Sequence, residues 1–380
     1  MKIAVITDTY FAVNGVCRTY QELAKYCQRK KIRLDIFTIG KTHHSQKLGS
    51  VNIYQFPALW PVKYYYDLPP FDVRIIPKGF KEKLLKTNYD IFHFATPASL
   101  GIAGRLILAN SKKPKVGAFH TLVAEYASWW AEKNLEKFPA TFRNPLAGFS
   151  QTAMWKFLKW FYFKMDVVLT PSLAIKSQLK ILGRPVVIFP RGVDTELFDP
   201  KKKNPKLKEK LPIALYTGRL SIEKNLDLLV KIFKNKEDVK LWFCGDGPYK
   251  TGLKAQLPQA KFFGYQQGQK LAEIYASADF FVFPSTTDTF GNVILEAQAC
   301  GLPTIVTDAG GPKELVKNKI NGLIVKPKAK DFSSAIDFLA KNEKIRKTMG
   351  QKARANALKT NWPKAFDQLF STYKKMCNKK

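Results

Sequence analysis

The segment richest in residues suited to chemistry is 284–303, PSTTDTFGNVILEAQACGLP. A strand is predicted to end at Pro284, and a helix is predicted to begin at about Val293. Amide N–H groups at a helix start have no partner within the helix and attract a phosphate. Gly291 would let a ligand approach this backbone closely. The segment therefore predicts a phosphate-binding helix start.

Two carboxylates flank that helix start. Asp288 precedes it and Glu296 follows eight residues later, so both could accept hydrogen bonds from the hydroxyl groups of a sugar. Taken alone, Glu296 could equally be an exposed helical residue. Its apolar neighbours favour partial burial, which requires polar partners for the carboxylate; they are Val293, Ile294, Leu295 and Ala297.

Arg219 and Lys224 form a second group. Both follow the predicted strand 213–218, in a loop that leads into a helix. An Arg fork and a Lys point charge at such a place could neutralise a diphosphate. In a chain with 63 basic residues a basic loop residue is usually only solvated. The position beyond the end of a strand favours the functional interpretation.

His120 ends another predicted strand, where a structural role and a ligand contact are about equally expected. The dinucleotide-binding motif G-x-G-x-x-G is missing. The loop after the first strand holds only Gly15, and Gly245 and Gly247 lack the third glycine. The sequence therefore disfavours a nicotinamide-dependent dehydrogenase.

Apolar, β-branched runs alternate with helical periodicity along the chain, which is typical of buried parallel strands joined by helices. The alternation of strands and helices begins again at residue 213. It therefore predicts an α/β fold with two Rossmann-like domains, which a lysine-rich linker at 200–211 would join. Ligands of such sheets bind beyond the carboxyl ends of the strands, which predicts a central cleft between two facing domains. The main predicted strands are 2–7, 34–40, 90–94, 116–120, 167–172, 186–190, 213–218, 239–243, 280–284 and 304–307.

Composition excludes several classes of protein. With 380 residues, two or three domains are expected, and 46% hydrophobic residues are too many for a disordered chain. No apolar run reaches eighteen residues and no secretory signal is recognisable, so neither a spanning helix nor export is expected. Five scattered cysteines indicate neither a disulfide framework nor a metal site, which favours a reducing cytoplasm.

The formal charge of +33 is spread evenly: residues 1–188 carry +17 and residues 189–380 carry +16. A dedicated basic tail is thereby excluded. The charge is either a compositional bias on a solvated surface or a source of attraction to phospholipid or nucleic acid.

Aromatic residues and lysines interleave in 149–165, FSQTAMWKFLKWFYFKM. This pattern is typical of a helix that docks on a membrane surface. The residues predicted to contact the membrane or the acceptor are Trp155, Lys156, Lys159 and Trp160. The alternative is a core helix, because Met154, Phe157, Leu158 and Phe161 fit one buried face. Membrane docking is the favoured hypothesis. Further aromatic residues stand at Trp129, Trp130, Trp60 and Tyr64–Tyr66.

Together these segments resemble the retaining glycosyltransferases of family 4, which have the GT-B fold. In that family two glutamates are separated by seven residues, and here Asp288 takes the first place and Glu296 the second. The resemblance covers nearly the whole chain. The segments that carry it are 6–19 (ITDTYFAVNGVCRT), 119–121 (FHT), 169–172 (LTPS), 189–200 (FPRGVDTELFDP), 216–225 (YTGRLSIEKN), 244–248 (CGDGP), 285–303 and 308–316 (DAGGPKELV).

The resemblance implies a role for each matching residue. Glu296 would bind the ribose of a nucleotide, and Asp288 would bind hydroxyls of the donor sugar. Arg219 and Lys224 would hold the diphosphate. His120 would contact the donor sugar near its 6-hydroxyl. The other donor-binding residues would be Gly15, Gly218, Phe290, Gly291, Asn292 and Val293.

The resemblance also implies a division of labour. Residues 1–188 would form an acceptor-binding domain and 189–362 a nucleotide-sugar-binding domain, with a helix at about 363–380 crossing back to the first. The reaction would move a hexose from a UDP- or GDP-linked sugar with retention of the anomeric configuration. Same-face attack with the departing phosphate as base is the expected route. Neither a metal nor a cofactor beyond the nucleotide-sugar donor is expected.

The acceptor is the least determined part of the prediction. The aromatic-lysine segment, the net charge and the lack of a spanning helix favour a membrane lipid or glycolipid. A cytoplasmic enzyme would meet it peripherally, at the inner face of the plasma membrane. A soluble acceptor is the alternative, as is a GT-B enzyme of other chemistry such as a nucleotide-sugar epimerase. A nucleic-acid-binding protein would leave the 284–303 segment unexplained, so no nucleic-acid partner is expected.

Overall fold

A computed structural model of the chain describes residues 1–12, 14–57, 79–125, 128 and 140–378. They form two compact units, Met1–Pro190 with Phe366–Lys380, and Arg191–Ala365. Each unit is built on one mainly parallel sheet with helices packed against it, as the alternation of strands and helices predicts. The chain passes from unit to unit after Pro190 and again after Ala365, whereas the sequence-based boundaries are 188 and 362.

The described part of the first unit contains one eight-stranded sheet. Its strands are β1 (Lys2–Ile6), β2 (Arg33–Gly40), β3 (His44–Leu48), β4 (Val51–Pro57), β5 (Ile91–Phe94), β6 (Lys115–Ala118), β7 (Val167–Thr170) and β8 (Val186–Ile188). Their order is β3-β4-β2-β1-β5-β6-β7-β8, and all neighbours are parallel except β3 and β4. The polar, exposed β3 protects this edge of the sheet from further pairing.

The helices of the first unit are α1 (Gly15–Arg29), α2 (Phe80–Lys86), α3 (Ser99–Ile107), α4 (Ala140–Tyr162) and α5 (Leu173–Gln178). Asn14 fixes the start of α1 because its side chain accepts a hydrogen bond from the amide of Cys17 at 2.8 Å. The C-terminal helix (Trp362–Cys377) adds its residues from Phe366 onward to this unit. There Phe370 stacks on Tyr26 of α1 with 5.7 Å between ring centroids.

The second unit has a six-stranded, wholly parallel sheet within the described residues. Its strands are β9 (Ile213–Thr217), β10 (Lys240–Cys244), β11 (Lys261–Phe262), β12 (Phe280–Phe283), β13 (Thr304–Thr307) and β14 (Gly322–Val325), in the order β11-β10-β9-β12-β13-β14. The order reverses between β9 and β12. Doubly wound sheets bind ligands at such a switch point, beyond the carboxyl ends of the strands.

The helices of the second unit are α6 (Asp227–Phe233), α7 (Lys250–Gln256), α8 (Gly268–Ser277), α9 (Asn292–Ala299), α10 (Ala329–Lys341) and α11 (Glu343–Leu358). They bury a core around the β9, β10 and β12 side chains, in which Trp242, Tyr216 and Tyr275 are among the largest fully buried residues. Strands β9, β12 and β13 are buried along their whole length, as expected of strands covered on both faces.

The linker predicted at 200–211 is wrong. This segment belongs to the second unit and forms two short 3-10 turns, Pro200–Lys202 and Pro205–Leu207. Asn204 attaches it to α8, since its amide donates to the Ser277 hydroxyl and its side chain donates to Glu273, both at 3.0 Å. Lysine density misleads here because the lysines lie on the surface of an ordered segment.

Candidate functional site

The loop Gly218–Asn225 follows β9 and carries Arg219 and Lys224. Tyr216, fully buried beneath it, donates its hydroxyl proton to the carbonyl oxygen of Arg219 at 2.9 Å. Gly245 packs against the same loop, and a methyl group there would lie 1.8 Å from the carbonyl oxygen of Gly218. The glycines after β10 therefore let two loops pack backbone against backbone. This packing explains the G-D-G sequence, which the sequence analysis considered only as part of a dinucleotide-binding motif.

The loop 284–291 follows β12 and leads into α9. Gly291 stands before the first residue of α9 with φ at +88°, a left-handed conformation that favours glycine. From the loop after β13, the amide of Gly311 donates to the carbonyl oxygen of Asp288 at 2.9 Å. A methyl group at Gly311 would lie 2.0 Å from the carbonyl oxygen of Thr289. This glycine fixes the backbone on which Asp288 stands, and sequence reasoning missed it.

Lys224 and Asp288 join these two loops. The Nζ of Lys224 lies 3.0 and 2.9 Å from the two carboxylate oxygens of Asp288. Asn225, itself left-handed with φ at +56°, donates its side-chain amide to the carbonyl oxygen of Pro284 at 3.2 Å. The structure thus brings together two residues that the sequence assigns to different ligand groups, at the switch point of the sheet.

The charges of this loop pair act on the hydroxyl of Tyr216. Burial raises the pKa of Tyr216, while the charges of Lys224 and Arg219 lower it and that of Asp288 raises it. Arg219, Lys224 and Asp288 are only partly buried. The arrangement can therefore present positive charge and a carboxylate to a ligand at the ends of β9 and β12.

Glu296 lies on α9 and is held by a residue that sequence reasoning did not single out. The hydroxyl of Tyr275, from α8, donates to Oε2 of Glu296 at 3.0 Å and also contacts Oγ1 of Thr217, the last residue of β9. Burial, and next the negative charge of Glu296, raise the pKa of Tyr275 well above its ordinary value, so the phenol stays protonated as a donor. Glu296 is partly buried, as its apolar neighbours predict.

Three further residues of the predicted donor set lie at the start of α9. Phe290 is buried, whereas Asn292 and Val293 are partly buried in the first turn of that helix. Gly15 lies in the other unit, as the exposed first residue of α1. Its carbonyl oxygen accepts the hydroxyl of Thr19 at 2.8 Å.

His120 lies just beyond the end of β6 and is partly buried. Its Nε2 lies 2.9 Å from the hydroxyl of Tyr20 on α1, and the same hydroxyl lies 2.8 Å from Nε2 of His93 on β5. The Nδ1 of His93 in turn meets the hydroxyl of Tyr373 in the C-terminal helix. His120 is therefore the partly exposed end of a chain of hydrogen bonds that reaches into the core.

Two family models divide the chain between them. Residues 13–197 match the model described as Glycosyltransferase Family 4, and residues 198–356 match the one described as Glycosyl transferases group 1. A GDP-mannose-dependent alpha-mannosyltransferase of Mycobacterium tuberculosis is 32% identical over 98% of this chain and 96% of its own length. The chain belongs to glycosyltransferase family 4.

Other relatives of this glycosyltransferase carry different names. An alpha-monoglucosyldiacylglycerol synthase of Streptococcus pneumoniae is 30% identical over 85% of this chain and 75% of its own length. A sulfoquinovosyl transferase of Arabidopsis thaliana is 28% identical over 78% of the chain, which covers 59% of that protein. A sucrose-phosphate synthase structure from Thermosynechococcus elongatus matches with a TM-score of 0.80, 20% identity and full coverage of both chains. These similarities confirm the GT-B fold.

The four residues of α4 that were predicted to dock on a membrane differ in their exposure. Trp155 is partly buried and stacks on Phe119, with 6.2 Å between ring centroids, so its assignment to an inserting surface is corrected to a core contact. Lys156 and Lys159 are exposed. Trp160 is 41% exposed, and the guanidinium of Arg105 lies 3.7 Å from its ring centroid.

The exposed side of α4 has aromatic members that the sequence argument did not select. Phe149 is 72% exposed, and Phe163, just past the helix, is 55% exposed. With Trp160 they follow helical spacing, and Lys156, Lys159 and Lys164 lie among them. Leu158 and Phe161 are fully buried, while Met154 and Phe157 are partly buried and pack on the core. One side of α4 is therefore the predicted core face, and the other is the exposed face on which the docking hypothesis depends.

The expectations about spanning helices, metal ligands and further aromatic residues can be compared only with the described part of the chain. None of the helices in the described ranges is long and apolar enough to cross a membrane. Among the residues that the structure describes, no three His, Cys, Asp or Glu side chains cluster as metal ligands would. The aromatic residues Trp60, Tyr64–Tyr66, Trp129 and Trp130 lie outside the described residues.

Proposed function

We propose that this glycosyltransferase moves a hexose from a nucleotide-diphosphate sugar to its acceptor with retention of the anomeric configuration. The observation that carries the proposal is the contact between Lys224 and Asp288, one positive and one negative group at the switch point of a doubly wound sheet. GDP-mannose is the first donor to test, since the mannosyltransferase similar over nearly the full chain is named for it. A UDP-linked sugar is the alternative.

The site residues take the roles that the family resemblance implies. Glu296, held by Tyr275, accepts hydrogen bonds from the ribose, and Asp288 accepts them from the donor sugar. Arg219 and Lys224 stabilise the charge that develops on the departing diphosphate. The Lys224–Asp288 pair is partly exposed, so an arriving phosphate can compete for the ammonium group. For His120, the family resemblance implies a contact with the donor sugar.

Retention is proposed to follow from attack on the same face that the diphosphate leaves. The two carboxylates of the site already have hydrogen-bonded partners, Lys224 for Asp288 and Tyr275 for Glu296. Neither is therefore a good candidate for a covalent nucleophile, and the departing phosphate serves as the base. The anomeric configuration of the first product, observed by proton NMR, tests this proposal.

The donor is tested by a thermal-shift titration with GDP, UDP, GDP-mannose and UDP-hexoses, with NAD as the unrelated dinucleotide. A ligand that binds only the native state raises the melting temperature in proportion to the logarithm of its concentration. The cognate nucleotide should shift the wild type and fail to shift Glu296→Ala. A shift by none of the nucleotides, or an equal shift of the variant, would reject the donor-site assignment.

We further propose that the acceptor is a membrane lipid or glycolipid, reached by peripheral docking of the first unit at the cytoplasmic face of the plasma membrane. The exposed side of α4 supports this, with Phe149, Trp160 and Phe163 interleaved by three lysines. The similar synthase of Streptococcus pneumoniae bears the name of a diacylglycerol glycolipid. A soluble acceptor is the second candidate, and vesicle binding distinguishes the two.

A further inference from the structure

Arg354, on α11, donates to four oxygen atoms of the second unit. Its Nη1 lies 2.6 Å from the carbonyl oxygen of Ala299 and 2.7 Å from that of Phe198. Its Nη2 lies 2.6 Å from the carboxylate of Asp199 and 3.1 Å from the carbonyl oxygen of Thr195. A lysine ammonium has three N–H groups and cannot make all four bonds, so this position makes full use of the guanidinium fork.

The contact with Ala299 completes the end of α9. The last four carbonyl groups of a helix have no partner within it and must be satisfied from outside. Backbone amides beyond the helix bond three of them, those of Glu296, Ala297 and Gln298. Arg354 donates to the fourth, and its positive charge also interacts favourably with the negative end of the helix dipole. Arg354 therefore fixes α9 within one turn of Glu296.

A second contact of Arg354 leads to the hydrogen-bond donor of Glu296. The carbonyl oxygen of Phe198 accepts from Arg354, and the ring of Phe198 packs edge-on against the ring of Tyr275, with 5.6 Å between the centroids. Tyr275 in turn donates to Glu296. One guanidinium thus binds both the helix that carries Glu296 and the residue that packs against Tyr275.

The guanidinium is itself held in place. The side chains of Arg354 and Asp199 are only 19% and 22% exposed, so their ion pair is largely shielded from water. The other carboxylate oxygen of Asp199 accepts the amide of Lys201 at 2.8 Å. Because both partners have further hydrogen bonds, the pair belongs to a satisfied polar network of the kind that makes a structure rigid.

We infer that Arg354 is a positioning residue that places Glu296 for the ribose of the donor. The inference rests on the ribose contact of Glu296 in the proposed function. Arg354 lies on α11, outside the two loops of the site, and acts through α9 and through Phe198. Loss of its hydrogen bonds should displace the Glu296 carboxylate and weaken the contacts that the ribose hydroxyls make.

Nucleotides with and without ribose hydroxyls test this role. Calorimetric titration gives the dissociation constants of GDP or UDP, whichever the protein binds, and of its 2′,3′-dideoxy analogue. A lost hydrogen bond to a carboxylate weakens binding about tenfold or more, so the wild type should discriminate against the analogue by at least that factor. Arg354→Lys should reduce this discrimination at least about threefold. In the background of Glu296→Gln, Arg354→Lys should have no further effect on it, because coupled residues are not additive.

Arg346→Lys is the matched control. Arg346 also lies on α11, is also buried, and donates to the carbonyl oxygens of Leu339 and Ala340 on α10 and to the carboxylate of Asp279. Both Arg→Lys variants should lower the melting temperature, but Arg346→Lys should keep the wild-type discrimination between the two nucleotides. An equal loss of discrimination in both variants would reduce the effect to general loosening of α11 and overturn the inference.

Asp199→Asn is a second, milder variant, which removes the charge that holds the guanidinium. It should reduce the discrimination in the same direction as Arg354→Lys, and it decides the question alone if Arg354→Lys does not fold. Unchanged discrimination in the folded variants would contradict the inference and leave the proposed function standing. A wild type that bound both nucleotides alike would instead reject the ribose contact of Glu296, and the inference with it. A wild type that bound neither GDP nor UDP would reject the proposed donor.

Discussion

Lys224 and Asp288 are 64 residues apart in sequence, and the ammonium group of one lies within 3.0 Å of both carboxylate oxygens of the other. Each comes from the loop that follows one of the two central strands. Their contact brings the loops of β9 and β12 to one point at the reversal of strand order. A partly exposed ion pair contributes little to stability, which makes a ligand-binding role the more economical explanation of its position.

The first prediction concerns the two basic residues. Arg219→Ala and Lys224→Ala should each lower kcat by two or more orders of magnitude, because preorganised charge on a leaving group is typically worth about 3 kcal/mol or more. Lys347→Ala is the control, since Lys347 forms an exposed ion pair with Glu343 on α11. Single-turnover kinetics measures the effect. Near-normal turnover with an unchanged donor dissociation constant would disprove the diphosphate assignment.

The second prediction concerns the support of Glu296. Tyr275→Phe removes one hydroxyl and keeps the ring, which packs against Phe198 and Phe281. A hydrogen bond to a charged group contributes about 1.5–3 kcal/mol, so nucleotide affinity should fall at least tenfold. Calorimetric titration gives the dissociation constant. Tyr162→Phe, which removes an equally buried hydroxyl in the first unit, should leave it unchanged; unaltered affinity in Tyr275→Phe would refute the supporting role.

Gly311 provides a third test, of backbone position. Its φ is not left-handed, so Gly311→Ala adds steric conflict alone: the new methyl group would lie 2.0 Å from the carbonyl oxygen of Thr289. Such overpacking typically costs about 1–3 kcal/mol and must displace the loop that carries Asp288. The melting temperature and the donor affinity should both fall. Gly148→Ala on α4, where the methyl group meets open space, should lower neither; an intact donor site in Gly311→Ala would show that the loop tolerates displacement.

The sequence predicts what local patterns encode. Runs of apolar residues identify the strands, and motif positions identify Asp288 and Glu296. Partners that meet only through packing leave no such pattern: Tyr275 is 21 residues from Glu296, and Tyr373 is 280 residues from His93. The same limit explains Trp155. Helical periodicity places Trp155 between the two sides of α4. Trp155 packs inward because Phe119, which follows β6, stacks on its ring.

The fourth prediction concerns Asp8, at the end of β1. Burial raises the pKa of this carboxyl from its ordinary 3.8 to about 6, although the Thr96 hydroxyl and the Leu100 amide donate to it at 2.6 and 2.8 Å. The native state therefore binds this proton more tightly than the unfolded chain does. Its contribution to stability is complete below about pH 4 and is lost as the pH rises through 6, by about 3 kcal/mol.

Asp8→Asn removes this dependence. The melting temperature of the variant, relative to that of the wild type, should rise between pH 4 and pH 7, as followed by circular dichroism. A pH-independent difference for Asp8→Asn would mean that the Asp8 carboxyl titrates in the native protein as it does in the unfolded chain.

The last prediction is that the first unit docks on anionic membranes through the exposed side of α4. Each basic residue near such a surface contributes about 1 kcal/mol, and aromatic insertion adds to it. Co-sedimentation with anionic vesicles should therefore exceed that with zwitterionic vesicles. Phe149→Ser/Phe163→Ser should lose the apolar part of vesicle binding and keep nucleotide binding, because both side chains are largely exposed. Trp155→Ser should instead lower the melting temperature, since its ring stacks on Phe119.

Salt separates the two components of this docking. At 0.1 M salt, Coulomb attraction is largely screened beyond about 10 Å, whereas salt does not screen apolar insertion. Vesicle binding should therefore weaken with salt without vanishing. Lys156→Gln/Lys159→Gln should flatten the salt dependence, while Phe149→Ser/Phe163→Ser should leave only its steep, salt-sensitive part. Ile320→Ser/Ile345→Ser, at exposed apolar residues of the second unit, should change neither. Wild-type protein that stays in the supernatant with anionic vesicles at low salt would reject the lipid acceptor. The net charge of +33 would then be a compositional feature, and the acceptor a soluble saccharide or small molecule.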